Sequence, residues 1–233
     1  MQTASYQQRR DQLLTYFDRT AVDAWSKLTS DAPVGRIRAT VRAGRDEMRA
    51  AILARLPANL TGHRVLDAGC GTGALAVECA RRGAHVTAID LSPTLVGLAQ
   101  ERTPRDLGAG SIDFQVGDML DATLGDFSHV VAMDSLIHYN ADDITRVLAG
   151  LASHTSHTIV ATFAPRTPAL TVMHSIGRFF PRGDRAPAIE PVSEARLRDL
   201  IGKAPGLKDW RIGTTHRVNS GFYMSQAMEL IRP

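Results

Sequence analysis

The sequence predicts an α/β fold in which a mostly parallel sheet carries helices on both faces. Short apolar strands and helical segments alternate from about residue 63 to residue 163, and this alternation is typical of parallel sheets. A glycine-rich turn at 69–73 follows the first strand and opens a helix. The 233 residues, 44% of them hydrophobic and 22% charged, are enough to build a full core.

Two helices are predicted ahead of the first strand. Tyr6 and Leu13 share one face of a segment from about 4 to 19, and Met48 and Ile52 recur at helical spacing further along. The opposite face of the second helix carries Arg38, Arg42, Arg45 and Arg49. We interpret most of these arginines as a solvated face.

Five strands are predicted in the central region, at 64–68, 85–89, 112–116, 129–133 and 158–163. Helices are predicted at 72–82, after Ser92 and at 142–152. Ser92 is a favourable N-cap, and Pro93 suits the first helical position because its missing N–H would be unpaired there anyway.

The alternation of strands and helices stops between residues 165 and 192. Five prolines in this stretch argue against a simple crossover helix, and we interpret it as a cap inserted after strand five. Ser193 then begins a helix that ends near Lys203, and residues 207–232 predict a hairpin around Asn219-Ser220-Gly221. The predicted parts are an N-terminal helical lid (1–57), a ligand-binding core (58–164), the cap (165–192) and the completion of the core (193–233).

Composition excludes several classes of protein. A formal net charge of only +3 argues against sequence-independent nucleic-acid binding. Two cysteines give neither a disulfide framework nor zinc-ligand spacing. The first residues lack the apolar core of a signal peptide, and we find no apolar run long enough for a transmembrane helix. We therefore predict a cytoplasmic protein.

The strongest functional signal is an acidic residue followed by three alternate glycines. Asp67 ends the first strand, and Gly69, Gly71 and Gly73 lead into the helix, where they allow a ligand to approach the backbone closely. The spacing of Gly69, Gly71 and Ala74 also fits a loose dinucleotide fingerprint, so an NAD-dependent oxidoreductase stays open. Asp67 favours a ligand with positive charge, such as an ammonium or sulfonium, over a pyrophosphate.

Two further carboxylates follow the next strands. Asp90 closes the second strand, where a carboxylate can accept the hydroxyls of a ribose. Asp118, between Gly117 and Met119, is placed to accept an adenine amine. Each carboxylate alone is equally compatible with a helix cap or a loop. Three of them in register with a glycine turn predict a nucleoside site at the carboxyl edge of the sheet.

The segment VLDAGCGTG at 65–73 resembles the first motif of class I S-adenosylmethionine-dependent methyltransferases. The resemblance covers about residues 60–164 and the terminal hairpin. It implies a Rossmann-like sheet of seven strands with an antiparallel last strand, S-adenosyl-L-methionine as methyl donor and S-adenosyl-L-homocysteine as product. The donor-binding residues it implies are Asp67, Gly69, Gly71, Gly73, Asp90, Leu91, Asp118, Met119 and Asp134, with Tyr16 and Arg42 closing over the donor from the N-terminal helices. The sequence by itself favours Tyr16 as a packing residue.

Four secondary motifs resemble a narrower family, the magnesium-protoporphyrin IX O-methyltransferases of bacteriochlorophyll biosynthesis. They are YFDRTAVDAW at 16–25, IRATVRAGRDEMR at 37–49, MDSLIHY at 133–139 and RFFPRGDR at 178–185. This resemblance implies methylation of a porphyrin propionate, with magnesium present only as part of the substrate. It also implies transfer of the porphyrin from the magnesium chelatase large subunit and loose association with the photosynthetic membrane.

The resemblance also assigns the acceptor side of the site. His138 and Tyr139 follow the fourth strand, and His138 is open to three readings: a helix cap, a group that orients the carboxylate, or a ligand of the substrate's magnesium. The implied substrate-binding residues are Met173, His174, Arg178, Phe179, Phe180 and Arg182 in the cap, with Phe222 and Tyr223 on the hairpin. A small hydrophobic cluster under a basic surface loop would account for the same cap residues.

Two further functions remain open from the sequence. One is a methyltransferase of the same class with another acceptor, such as a small aromatic, a quinone precursor or a small carboxylic acid. The other is a binding module that uses the basic N-terminal helix to hold nucleic acid.

Overall fold

The structure is a computed structural model that describes residues 4–19, 35–166 and 189–233. Both predicted N-terminal helices are present, as α1 (Ala4–Arg19) and α2 (Arg36–Leu53). The strands are β1 (Arg64–Ala68), β2 (His85–Asp90), β3 (Ser111–Val116), β4 (Phe127–Ala132), β5 (Thr155–Phe163), β6 (Arg211–Ser220) and β7 (Tyr223–Ile231). The remaining helices are α3 (Ala74–Arg81), α4 (Pro93–Arg102), α5 (Ala141–Ala152) and α6 (Glu194–Lys203).

The seven strands form one sheet in the order β3-β2-β1-β4-β5-β7-β6. Strands β1 to β5 are parallel, whereas β7 lies antiparallel to both β5 and β6. The predicted fold class, a mostly parallel seven-stranded sheet with an antiparallel last strand, is confirmed. The strand order reverses at β1, between β2 and β4, and ligands of open α/β sheets bind at such a reversal.

Several predicted boundaries differ from the structure for local reasons. Helix α3 begins at Ala74 rather than Thr72, because Gly71 and Gly73 adopt positive φ and keep the turn out of the helix. Strand β5 begins at Thr155, three residues earlier than predicted, since Thr155 pairs with Phe127 at the start of β4.

Hydrophobic cores cover both faces of the sheet. One core contains buried residues of α2 and α3, including Met48 and Ile52. The other contains buried residues of α1, α5 and α6, including Tyr6 and Leu13. Because helices cover both faces, residues in the middle of β1 and β4 are shielded from water. A polar side chain on these strands therefore has to find a partner within the protein or in a ligand.

Three histidines lie together at the edge of the sheet where the parallel strands begin. The ring centroid of His129 is 5.1 Å from that of His63 and 5.5 Å from that of His157. His129 is only 3% exposed, and neither of its ring nitrogens has a hydrogen-bond partner among the described residues. Burial lowers the pKa of His129 to about 4, and the two neighbouring histidines add to this effect.

From this histidine cluster we predict that the free energy of unfolding falls in acid. His129 takes up a proton near pH 6.5 when unfolded but only near pH 4 when folded. The unfolded state therefore binds more protons in this window, and stability present above pH 6.5 is lost as the pH falls towards 4. The loss reaches about 3 kcal/mol at most, from a shift of roughly 2.5 units. Chemical denaturation between pH 7 and pH 4.5 measures it, and the curve for His129→Phe should be flatter. Parallel curves for the two proteins would contradict this assignment.

Candidate active site

A cavity of about 320 Å³ opens at the carboxyl edge of the sheet, where the strand order reverses. Its volume lies within the range of small-molecule sites. The glycine turn, the ends of β2, β3 and β4, and one face each of α1 and α2 surround it. The sequence-predicted residues among its walls are Arg42, Asp67, Gly69, Gly71, Asp90, Leu91, Met119, Asp134, His138 and Tyr139.

The glycine turn is held against the neighbouring strands by its backbone. The amides of Gly69 and Cys70 both donate to the carbonyl of Ile89, at 2.9 and 3.0 Å. Gly69, Gly71 and Gly73 all have positive φ. A Cβ on Gly69 would lie 2.4 Å from the Cβ of Ser135, whereas a Cβ on Gly71 would meet nothing within 4 Å. Gly69 is therefore required for packing against the segment after β4, and Gly71 leaves open space beside the cavity.

Asp67 is a buried carboxylate that lacks a full set of partners. It lies on β1 between Ala88 of β2 and Val131 of β4, is 1% exposed, and its Oδ2 has no hydrogen-bond partner among the described residues. Burial and the nearby charge of Asp90 raise the pKa of Asp67 to about 7. A positively charged ligand beside this carboxylate would favour its ionised form.

Asp90 supports the same turn from β2. Its Oδ2 accepts from the Gly71 amide at 2.9 Å and its Oδ1 from the Ser92 amide at 3.0 Å. Burial raises the pKa of Asp90, while these backbone amides act in the opposite direction. Asp90 thus lines the cavity and also connects the glycine turn to the start of α4.

Asp118 lies one residue beyond Gly117, which lines the cavity. Its Oδ1 accepts from the Tyr6 hydroxyl at 2.9 Å and from the Leu120 amide at 2.9 Å. Its Oδ2 accepts from the Arg10 guanidinium at 3.2 Å. The carboxylate predicted for the adenine therefore also anchors α1.

Asp134, which lines the cavity, connects three elements of the fold. It follows β4 with a φ of 57°, which is unusual for a residue with a side chain. Its carboxylate accepts from Arg45 of α2 at 2.6 Å, from the Tyr223 hydroxyl at 2.9 Å and from Ser225 Oγ at 3.2 Å. Asp134 thus joins α2 and β7 to the end of β4.

Helix α2 presents three arginines to the cavity. Arg42, Arg45 and Arg49 all line it, as does Asp46. Arg45 is paired with Asp134, and Arg49 with Asp46 at 2.6 Å. The interpretation of this helix face as mostly solvated therefore does not hold for these three residues. Helix α2 thus lines the cavity with three guanidinium groups and one carboxylate, and Asp67 and Asp90 line it beside the glycine turn.

His138 and Tyr139 lie on the segment between β4 and α5. His138 is 6% exposed and lines the cavity. The ring of Tyr139 stacks on that of Tyr6, with centroids 5.2 Å apart and planes inclined by 23°. The side chain that caps α5 is Asn140, which accepts from the Asp143 amide at 2.9 Å.

Three other predicted site residues do not line this cavity, and six lie outside the described residues. Tyr16 lies on α1 but is not among the lining residues. Phe222 is 56% exposed in the turn between β6 and β7, and the Tyr223 hydroxyl is directed to Asp134. The predicted cap residues Met173, His174, Arg178, Phe179, Phe180 and Arg182 lie outside the described residues.

Sequence reasoning missed three residues that build the site. Tyr6 was expected only on the packed face of α1, and Arg45 only on a solvated face. Ser135 received no role, although it lies against Gly69 and its Oγ has no partner among the described residues. Arg45 could have been found from its position three residues after Arg42, because such residues share one helix face.

Comparison with known proteins agrees with this geometry. Residues 132–232 match the family described as magnesium-protoporphyrin IX methyltransferase C-terminus, and residues 65–157 match a methyltransferase domain. The magnesium-protoporphyrin O-methyltransferase of Rhodobacter capsulatus is 47% identical over 97% of this chain and 98% of its own length. The chain belongs to the magnesium-protoporphyrin O-methyltransferase family.

Two other relatives extend this comparison. The magnesium-protoporphyrin O-methyltransferase of Synechocystis is 31% identical over 93% of this chain and 94% of its own length. A crystal structure of the Synechocystis PCC 6803 magnesium protoporphyrin IX methyltransferase with bound S-adenosylhomocysteine has a TM-score of 0.80 to this chain, at 30% identity, covering 96% of this chain and 99% of the other. This chain is thus a class I methyltransferase that uses S-adenosylmethionine.

The charged groups that line the cavity of this methyltransferase are complementary to those of S-adenosylmethionine. Asp67 supplies a buried carboxylate oxygen without a partner among the described residues, which suits a cationic ligand. The open space at Gly71 lets a ligand approach the backbone. Arg42, which also lines the cavity, suits a carboxylate. S-Adenosylmethionine carries both charges, an ammonium with a sulfonium and a carboxylate.

The two glycines of the turn should respond differently to substitution. Gly71→Ala should lower the free energy of unfolding by only about 1 kcal/mol, from positive φ alone, but should weaken S-adenosylhomocysteine binding because the methyl group enters the cavity. Gly69→Ala should cost about 3 kcal/mol or more because Ser135 must also shift. Denaturation and calorimetry measure the two effects. Equal destabilisation by both changes would contradict the contact between Gly69 and Ser135.

Donor affinity should fall in acid because Asp67 must be ionised to face a cation. Below its pKa of about 7, ligand binding has to displace a proton, so S-adenosylhomocysteine should bind more tightly at pH 8 than at pH 6, by roughly tenfold at most. Asp67→Asn should bind weakly with little pH dependence, and Asp126→Asn, which changes an exposed carboxylate, should behave as wild type. Calorimetric titrations at both pH values test this, and a wild-type affinity that is equal at both would disprove it.

Proposed function

We propose that this methyltransferase binds its donor between the acidic turn and the arginines of α2, and its acceptor beside His138. The protein is a magnesium-protoporphyrin IX O-methyltransferase of (bacterio)chlorophyll biosynthesis, and it methylates a propionate carboxylate to give the monomethyl ester. The observation that carries the donor assignment is the buried Asp67 carboxylate, with its pKa near 7 and an oxygen without a partner among the described residues.

The reaction requires positioning more than proton transfer. Bound S-adenosylmethionine supplies an electrophilic methyl group on a sulfonium and leaves as S-adenosylhomocysteine when a carboxylate oxygen has taken that methyl. A propionate is ionised at neutral pH, as glutamate is, so the acceptor needs no general base. The protein contributes by orienting the carboxylate and excluding water, which lowers the barrier by fixing the approach of the reacting atoms.

The arginines of α2 have separate roles at the cavity. Arg45 and Arg49 are each paired with a carboxylate of the protein. Arg42 is proposed to hold the methionyl carboxylate of the donor, because a guanidinium can form two parallel hydrogen bonds with it.

His138 is proposed to orient the acceptor carboxylate. It lies at the cavity wall together with Tyr139, whose stacking on Tyr6 stabilises this segment. Asn140 provides the cap of α5, so the helix-cap reading of His138 is less favoured. Coordination of the substrate's magnesium by the imidazole is the other reading of the same position.

The remaining acceptor pocket is proposed to come from the cap and the hairpin. Phe222, exposed at the tip of the hairpin, offers an apolar surface there, and cap residues 165–192 supply further apolar and basic groups. Helices of sufficient length and hydrophobicity to cross a bilayer are absent from the part of the chain that the structure describes. Transfer of the poorly soluble porphyrin from the magnesium chelatase large subunit, and loose association with the photosynthetic membrane, complete the proposal.

The alternative acceptors have weaker support. A ubiquinone biosynthesis O-methyltransferase from Xanthomonas euvesicatoria is 37% identical, but over only 53% of this chain and 54% of its own length. That match covers about half of this chain, whereas the match to the Rhodobacter capsulatus magnesium-protoporphyrin O-methyltransferase covers 97% of it.

Methyl transfer from labelled S-adenosylmethionine to magnesium-protoporphyrin IX tests the function directly. Wild-type protein should form the monomethyl ester, and His138→Ala should lower kcat by about 100-fold, the effect of misplacing the reacting carboxylate. S-Adenosylhomocysteine affinity should change little, because Asp67 and the glycine turn remain. Turnover at the wild-type rate by the variant would remove His138 from the mechanism. A donor-binding protein that methylates a quinone precursor but no porphyrin would overturn the acceptor assignment.

A further inference from the structure

Tyr6 occupies an unusual position between two cavities. It is 4% exposed, and it lines both the donor cavity and a neighbouring cavity of about 350 Å³ between β4 and α5. Met119 is the other residue that both cavities share. The Tyr6 ring therefore forms part of the wall that closes the donor cavity on this side.

Tyr6 also connects two groups that the reaction depends on. Its hydroxyl donates to Asp118 Oδ1 at 2.9 Å, and its ring stacks on Tyr139. Tyr139 directly follows His138 in the chain. Burial and the charge of Asp118 raise the pKa of Tyr6 far above its ordinary value, so its hydroxyl remains a neutral donor.

Two other contacts of α1 lie outside the donor cavity, whereas Arg10 pairs with Asp118 itself. Ser5 donates to Asp143 at 3.0 Å, and Arg9 pairs with Glu190 at 3.0 Å. None of these four residues lines the donor cavity. A substitution at Ser5 or Arg9 therefore weakens the docking of α1 without changing a residue that lines the donor cavity.

We propose that Tyr6 is a positioning residue of the donor site, whose hydroxyl orients the Asp118 carboxylate and whose ring supports Tyr139 and the adjacent His138. The two parts of its side chain have different effects. The hydroxyl acts on donor affinity, because Asp118 lies beside the Gly117 and Met119 walls of the cavity. The ring acts on turnover, because it holds the segment that carries His138. This inference builds on the proposed function and adds the residue that couples its two halves.

Two substitutions separate these effects. Tyr6→Phe keeps the ring and removes the hydroxyl, so the dissociation constant of S-adenosylhomocysteine should rise about tenfold, the effect of losing one hydrogen bond to a charged group. The kcat for magnesium-protoporphyrin should stay within about twofold of wild type, since the stacked ring remains. Tyr6→Leu removes both contacts, so kcat should also fall, by about tenfold for a loss of positioning.

Two controls distinguish positioning from simple anchoring of α1. Arg9→Gln removes an α1 tether away from the cavity, so it should lower the unliganded Tm without changing donor affinity. In an Asp118→Asn background, Tyr6→Phe should have little further effect on S-adenosylhomocysteine binding, because the two groups act through one hydrogen bond. Calorimetry with S-adenosylhomocysteine gives this readout independently of the acceptor, even if porphyrin methylation itself is not observed.

The opposite results would overturn the proposal. If Tyr6→Phe binds S-adenosylhomocysteine as wild type does and only its Tm falls, as in Arg9→Gln, Tyr6 is an anchor of α1 and nothing more. Additive losses in the Tyr6→Phe, Asp118→Asn double variant would equally exclude action through Asp118. If wild type binds the donor product but methylates no magnesium-protoporphyrin, the acceptor assignment fails while the binding comparison still decides the role of Tyr6.

Discussion

The burial of Asp67 in the middle of the sheet is the constraint on which the donor site depends. Strand β1 lies between β2 and β4, and hydrophobic cores cover both faces, so the carboxylate is shielded from water. Asp90 lies close enough to raise its pKa further. Two neighbouring carboxylates in such a place are unfavourable by themselves. A cationic ligand would offset this unfavourable charge, which is why Asp67 carries the proposed donor assignment.

The glycine turn places the buried Asp67 carboxylate close to the segment that follows β4. Gly69 packs so closely on Ser135 that a side chain would not fit, and this contact brings the turn next to the segment that carries His138. The groups proposed for donor binding and for acceptor binding are therefore neighbours because of one close backbone approach. The left-handed backbone of Asp134 on the same segment is stabilised by the hydrogen bonds from Arg45, Tyr223 and Ser225.

The N-terminal helices supply the charge and the enclosure that the sheet lacks. Helix α2 brings Arg42, Arg45 and Arg49 to the cavity that the acidic turn also lines. Helix α1 closes the side near Asp118 through Tyr6 and Arg10. The proposed donor, with an ammonium, a sulfonium and a carboxylate, carries groups that suit both the carboxylates and the arginines of this cavity.

Local patterns in the sequence determined the α/β architecture, the glycine turn and the carboxylates at the ends of β1, β2 and β3. Each is a short-range feature: strand and helix alternation, positive φ at glycine, and a polar residue where an apolar strand ends. The sequence motif also led to the family that the comparisons show. Tertiary structure alone decided that Tyr6 meets Asp118 across 112 positions of the chain and that Arg45 meets Asp134 across 89. These contacts depend on how helices dock on the sheet, and neither helical periodicity nor residue type specifies which residue a helix face will meet.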